Sequence, residues 1–329
     1  MHQPVQFHLS RRSFGISLLA PMLATPAAAA DYPARPIKLI VPFTPGGLAD
    51  TGARIVAEKM TRLLGQTMVV ENRPGAGGNI GTGAVASAAP DGYTLLLGFD
   101  GTLLINPHVY SKVPFDAMRD FVSIGKIGDA AGVIVVHPSV QAKTLRQLID
   151  LSKASPKGLD YGSSGVGGTS HLVAEMLNAR SGAKFVHVPY KGGGQAMADV
   201  VSGVLPINFT AVAGAYPFVK QGQLRAIALF SPQRVASMPD VPTLAEAGFP
   251  DVDANSWISL MAPARTAPQI EERLADALHK ALALPDVQER FATLGLFPSS
   301  QTKAQFEAQN QKDYRRYGEI VNALNIRID

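Results

Sequence analysis

The chain has 329 residues, 46% of them hydrophobic, with no cysteine and 30 basic against 26 acidic side chains, a net charge of +4. No disulfide and no cysteine-linked lipid anchor can form, and no Lys/Arg cluster offers the basic face of a nucleic-acid binder. The length is ample for two lobes, each with its own core.

Residues 1–30 read as a cleavable export address. Ser10-Arg11-Arg12-Ser13-Phe14 precedes a short apolar stretch, and Ala27-Ala28-Ala29-Ala30 supplies a small-residue cleavage site before Asp31. The paired arginines suggest the twin-arginine route, with the general secretory route as the alternative. The stretch, broken by Pro21 and Pro26, is too short to span a bilayer. Cleavage removes Arg11 and Arg12, so the mature charge is 28 − 26 = +2. A soluble periplasmic protein is expected.

In chain order, apolar runs at 37–41, 67–71, 94–97 and 122–126 predict strands, and a second group follows at 133–136, 159–161, 185–188, 207–209 and 224–229. Amphipathic helices alternate with them, the pattern of α/β units on mostly parallel sheets. The first strand empties into Pro42-Phe43-Thr44-Pro45-Gly46-Gly47-Leu48-Ala49-Asp50-Thr51. A helix follows with Val56, Met60, Leu63 and Leu64 on one face, Asp50 or Thr51 as cap and Gly65 as stop. A strand that ends in glycines and opens a helix exposes N–H groups that favour a small anion, although a plain flexible turn would read the same way. Thr144–Gln147 and Thr243–Glu246 have the spacing of capping boxes that start helices. After 257–261 only helices are expected, with Ile270, Leu274, Leu278 and Leu282 as one stripe, and Phe306, Tyr314, Tyr317, Ile320, Val321 and Leu324 in a long closing helix.

Two more glycine-rich loops sit between strand and helix. In the loop 161–171, hydroxyls at Ser163, Ser164 and Thr169 and the backbone around Gly168 could grip an anion, and His171 is a structural hydrogen bonder or a base. In the loop 189–194, Lys191 either pairs with a ligand carboxylate or is a solvated surface lysine. The run Pro74–Gly81 lacks the glycine spacing and acid of a dinucleotide fingerprint. Ser163 and Ser164 do not form a G-x-S-x-G elbow, no zinc ligand set is present, and neither cofactor nor metal is expected. A serine hydrolase on Ser163 or Ser164 with His171 stands as the enzyme alternative.

Taken in order, Val41-Pro42-Phe43 with Pro45-Gly46-Gly47, Asp50 and Arg54, then Glu71-Asn72-Arg73-Pro74-Gly75, Pro90-Asp91-Gly92-Tyr93, Ile105-Asn106-Pro107, the loop 161–171, Val188-Pro189-Tyr190-Lys191-Gly192 and Ala262–Pro268 resemble the substrate-binding proteins of tripartite tricarboxylate transporters, the Bug family. The resemblance implies a type II two-lobed periplasmic binding protein that closes on a small carboxylate and delivers it to a membrane permease. A sensor kinase is the alternative partner, and a monomer is expected. It implies residues 31–127 with 254–329 as lobe 1, and 128–253 as an inserted lobe 2. Two facing loops would hold the ligand: Phe43, Thr44, Gly46, Gly47, Leu48, Ala49, Asp50 and Thr51 in one, and Ser163, Ser164, Gly168, Thr169 and His171 in the other. Thr102 and Tyr190 would stand at the rim, with Lys191 next to Tyr190 as the candidate carboxylate partner. Asp50 takes the family's acidic position, as a ligand contact or, the reading favoured here, a helix cap. The chain departs from the family pattern at Trp257-Ile258-Ser259, where Trp-x-Gly is frequent, and at Arg265, where glycine is common. Leu48 and Ala49 occupy the variable part of the first loop.

Overall fold

Strand β1 (Ile37–Val41) buries four of its five residues, as a strand with neighbours on both sides must. The computed structural model describes residues 1–2, 32–252 and 256–328, so the export address falls outside the described residues. From β1 the chain runs through α1 (Leu48–Leu64), β2 (Met68–Asn72), α2 (Asn79–Ala86) and β3 (Thr94–Phe99). A single π-helical turn, Gly101–Ile105, and the short α3 (Asn106–Val109) lead to β4 (Phe121–Ala130). A second set follows at once: β5 (Gly132–Val136), α4 (Leu145–Ala154), β6 (Leu159–Ser163), α5 (Thr169–Ser181), β7 (Phe185–Pro189) and α6 (Gly193–Val201). It continues through β8 (Ile207–Ala211), α7 (Val212–Lys220) and β9 (Arg225–Phe230). The chain returns as β10 (Ser256–Pro263), α8 (Pro268–Leu282), α9 (Pro285–Thr293), β11 (Leu296–Pro298) and α10 (Lys303–Ala323).

These strands build two sheets, ordered β11-β4-β10-β3-β1-β2 and β7-β6-β8-β5-β9, each flanked by helices to make a lobe. Both sheets are mixed rather than mostly parallel. Pairing is parallel around β1 and β6, where helices supply the crossovers, and antiparallel where β4, β10 and β11 or β5, β8 and β9 meet. Strands β4 and β5 are separated by Ala131 alone, and a parallel pair needs a crossover of a dozen residues or more. The first sheet keeps β4 as far as Ala130, so the chain changes sheets at Ala131 and again between β9 and β10. Strand β11, three residues on a sheet edge, has no periodicity by which it could have been read and interrupts the all-helical ending.

The helix stripes pack as their spacing requires. Ile270, Leu274, Leu278 and Leu282 are buried on α8, and each such side chain contributes about 1.5–3 kcal/mol by leaving water. Trp257 meets Phe306 edge to face at 4.9 Å, fastening α10 to the first sheet beside buried Tyr317 and Val321. Three caps differ from their sequence reading. Helix α1 starts at Leu48 with Gly47 as N-cap, which makes Asp50 its third residue and leaves Thr51 uncapping. Gln147 donates its N–H to Thr144 but turns its own oxygen to the Lys143 N–H, one residue before the cap. The Thr243–Glu246 box forms both bonds, yet it closes turns rather than a helix, because left-handed Gly248 and Pro250 follow too soon. A complete box that sequence reading passed over, Thr302 with Gln305, opens α10.

Arg265 adopts φ +69° in an exposed turn closed by Thr266 N–H on the Pro263 carbonyl. A side chain in that conformation costs about 1–2 kcal/mol, which explains why glycine suits the position. Arg265→Gly is expected to stabilise the protein by roughly 0.5–1 kcal/mol after the added freedom of its unfolded chain is subtracted. Urea denaturation midpoints of the two proteins measure this, with an unchanged slope expected.

Candidate functional site

In the first sheet the chain leaves β1 for β2 on one side and returns to β3 on the other, so a crevice opens between the carboxyl ends of β1 and β3. The second sheet repeats the arrangement, with β6 lying between β7 and β8. Such switch points are where open α/β sheets hold ligands. Here the two face one crevice, lined by residues of both sheets and of the helices that follow them.

Four helices begin at this crevice. Gly47, Leu48 and Ala49 bring the start of α1 from one lobe; Thr169 and Ser170 bring α5, Gly193 α6, and Thr210 and Ala211 α7 from the other. Helix N-termini carry unpaired N–H groups and a partial positive charge. Among the described residues that line the crevice none is charged. Phe43, Phe99, Phe209 and Phe230 form apolar walls, with Ala130, Ala131 and Gly132 of the crossing segment between them.

Of the residues singled out in the sequence, Phe43, Gly47, Leu48, Ala49, Ser164 and Thr169 line this crevice. Gly168 and Thr102 lie beside it, around a smaller hollow, and Thr102 spends its hydroxyl on the Gly77 carbonyl at 2.9 Å. Asp50 is buried behind the loop. Its carboxylate accepts from Arg54 at 3.0 Å, Asn72 at 2.9 Å and the Gly46 N–H at 3.1 Å. Burial pushes its pKa up, but these bonds outweigh burial and hold it below the ordinary value. Asp50 therefore shapes the first loop from behind. Thr44, Gly46 and Thr51 are not in the wall, and Thr44 faces Gly192 across the lobes. Tyr190 donates to Asp199 and Lys191 is exposed, both outside the lining.

The lobes meet through bare backbone. A Cβ on Gly101 would fall 3.0 Å from the Gly168 Cα, one on Gly165 3.5 Å from the Gly77 Cα, and one on Gly194 would overlap the Pro45 carbonyl oxygen. One residue of this interface went unread in the sequence. Asp100, at the end of β3, is wholly buried and accepts from the Thr169 hydroxyl of the other lobe, the Ser256 hydroxyl at 2.8 Å and the Trp257 N–H at 3.1 Å. Burial raises its pKa to about 6 against the pull of those bonds. The available signal was positional: Asp100 follows β3 as the glycine loop follows β1.

Ser163 and His171 sit in the second lobe's interior. Ser163 Oγ lies 3.0 Å from the Gly165 carbonyl and 2.6 Å from His187 Nε2, and accepts the Gly165 N–H at 3.1 Å. A hydrolytic serine must present its oxygen to a substrate, whereas Ser163 is buried and outside the crevice lining. His171 stacks on His187 at 4.0 Å and accepts the Gly167 N–H at 3.3 Å. Burial depresses His171 to about 4, and burial with its charged-state neighbour depresses His187 to about 3. Between these values and the ordinary 6.5, the unfolded chain binds more protons, so stability present above pH 6.5 is lost as pH falls. Asp100 acts in the opposite sense between 3.8 and about 6, one carboxyl against two rings. Stability is thus expected to fall on acidification from pH 6.5 to 4.5, by up to about 1.4 kcal/mol per pH unit for each net proton. His187→Gln, which keeps a hydrogen-bonding group for Ser163, should flatten that slope in denaturant titrations at successive pH values.

Comparison with known proteins agrees with this geometry. The family model described as "Tripartite tricarboxylate transporter family receptor" matches residues 52–326. Protein BugT of Bordetella pertussis is 36% identical over 315 residues, 95% of this chain and 97% of that protein. Two solved structures superpose closely: Rpa4515 of R. palustris with adipate (TM-score 0.87, 28% identity, 91% of this chain and 100% of that one) and MatC of Rhodopseudomonas palustris with bound malate (TM-score 0.84, 28% identity, 88% and 100%). The chain belongs to the tripartite tricarboxylate transporter receptor family, the Bug-type periplasmic solute-binding proteins, and is not an enzyme.

Proposed function

We propose that this protein captures a small organic dianion in the crevice by closing its two lobes, and delivers it to the permease of a tripartite transporter. The observation that carries the reading is the convergence of four helix N-termini, from both lobes, on a crevice without charged walls. An anion held there is bound by backbone N–H groups and dipoles, and a second carboxylate at the far end would engage the opposite lobe. The adipate and malate bound by its structural relatives are dianions of this kind. A ligand that touches both lobes favours the closed form by the difference in its affinity for the two states. Ser164, Thr169 and Ser170 add hydroxyls from lobe 2, while Phe43, Leu48 and Ala49 border the ligand's carbon chain.

Malate, adipate and a panel of other carboxylates test the reading by thermal denaturation. A true ligand at a hundred times its dissociation constant should stabilise by about 2.7 kcal/mol. No shift with any organic acid or amino acid in the panel would refute capture.

Closure has its own test in Gly194→Ala. The added methyl favours helix α6 by roughly 0.5–1 kcal/mol but collides with Pro45 of the other lobe when the lobes meet. Unliganded stability should hold or rise while affinity drops about tenfold, as isothermal calorimetry would record. An unchanged affinity would separate capture from this lobe contact.

A further inference from the structure

We propose that the crevice takes up a proton with its anion, on Asp100, and that the proton turns the Thr169 hydroxyl from its bond with Asp100 towards the ligand. The inference rests on the carboxylate-capture reading above and assigns Asp100 as the residue that sets how affinity depends on pH.

The geometry supplies the argument. Asp100 has no exposed surface, and its two oxygens are held by Thr169 and Ser256, both of which line the crevice. The carboxyl thus stands one side chain behind the wall. An anion seated on the first N–H groups of α5 is separated from it by the single residue Thr169, on the order of 6 Å, where two like charges in a dry site repel strongly. Among the described residues lining the crevice there is no cation to offset that repulsion. A neutral Asp100 removes it.

Neighbouring charges do not do this work. Strand β3, the π turn and β10, which enclose Asp100, carry no ionisable side chain. On α5, His171 is held neutral by burial and Glu175 accepts from the Tyr161 hydroxyl. On α1, Asp50 pairs with Arg54, and on β4, Lys126 pairs with Asp129 at 2.7 Å. Helices α3 and α10, packed by the π turn, present His108, Tyr314 and Tyr317. Burial, opposed by the bonds from Thr169, Ser256, Trp257 and Gly101, sets the charge of Asp100 at about pH 6 in the unliganded protein, and a bound anion pushes in the same direction as burial.

The hydroxyl follows the proton. Ionised Asp100 can only accept, so Thr169 donates to it. Protonated Asp100 donates its O–H to Thr169 Oγ, and the Thr169 hydrogen is released to an oxygen of the ligand. One proton enters from solvent, one hydrogen bond reverses and one forms to the anion, with no net charge left buried behind the wall.

Calorimetry of the full mature chain with malate and with adipate, at pH 7 in buffers of different ionisation enthalpy, counts the protons taken up. Both acids are fully ionised there, so uptake belongs to the protein. Uptake approaching one proton per ligand is expected, with affinity falling up to tenfold per unit as pH rises from 6.5 to 8.5, by reciprocal linkage. Asp100→Asn carries the hydrogen permanently: uptake should vanish, the slope should flatten, and affinity at pH 8 should exceed that of the unaltered protein. Thr169→Val should weaken binding yet keep the uptake. Clear binding heat with no proton uptake, as an amino acid placing its ammonium beside Asp100 would give, overturns this inference and leaves capture standing; no binding by any acid overturns capture instead. Carbon-detected NMR titration of the unliganded protein reads Asp100 directly, and a midpoint in the ordinary carboxylate range overturns the inference whatever the ligand.

Discussion

The proposed capture attracts an anion with backbone rather than with side-chain charge, and that constraint bears on the rest of the structure. A peptide N–H carries only a fraction of a charge, so several must converge, and they converge only where helices begin. That requirement explains the two sheets. Each places a strand between two parallel neighbours, β1 in one lobe and β6 in the other, so that the following helices start at a shared opening. It also explains the glycines along the crevice. Gly101, Gly165 and Gly194 let main chain approach main chain at distances a Cβ would disturb.

The same economy leaves the interior exposed to charge. No described residue of the wall is a cation, and the carboxyl of Asp100 stands one side chain behind it, tied to both lobes through Thr169 and Ser256. A buried carboxyl with four hydrogen bonds is poised between its two protonation states, because burial and bonding act in opposite directions. By contrast Asp50, also buried, is fixed as an anion by Arg54 and Asn72. Two buried aspartates, one in the first turn of α1 and one directly after β3, thus have different characters, and their partners make the difference.

Much of this was readable from local pattern. The strands announced themselves as short apolar runs, and the first glycine loop pointed to a helix N-terminus because strand, glycine pair and amphipathic helix are contiguous in sequence. What escaped was nonlocal. Nothing around Phe99-Asp100-Gly101 advertises a buried carboxyl; its character comes from Thr169, 69 residues on, and Ser256, 156 residues on. Ser163 suggested His171, a near neighbour in sequence, while the sheet supplied His187 from the adjoining strand. The hydroxyl of Tyr190 faces Asp199, and no local signal distinguishes that from a place at the rim. The capping box at Thr243 was read correctly as chemistry and wrongly as a helix, since a box fixes how a turn begins and not how far it runs.

The placement of the crossing strands has a mechanical consequence. Strand β4, which leaves the first sheet, lies between β11 and β10, and β10, which re-enters it, lies between β4 and β3. Both are interior strands, laddered on each side, while β2 and β11 form the edges. Any torque transmitted through Ala131 is therefore shared across the whole sheet instead of peeling away a marginal strand. A lobe anchored in this way hangs from the whole sheet, like a door hung from its frame rather than from its veneer.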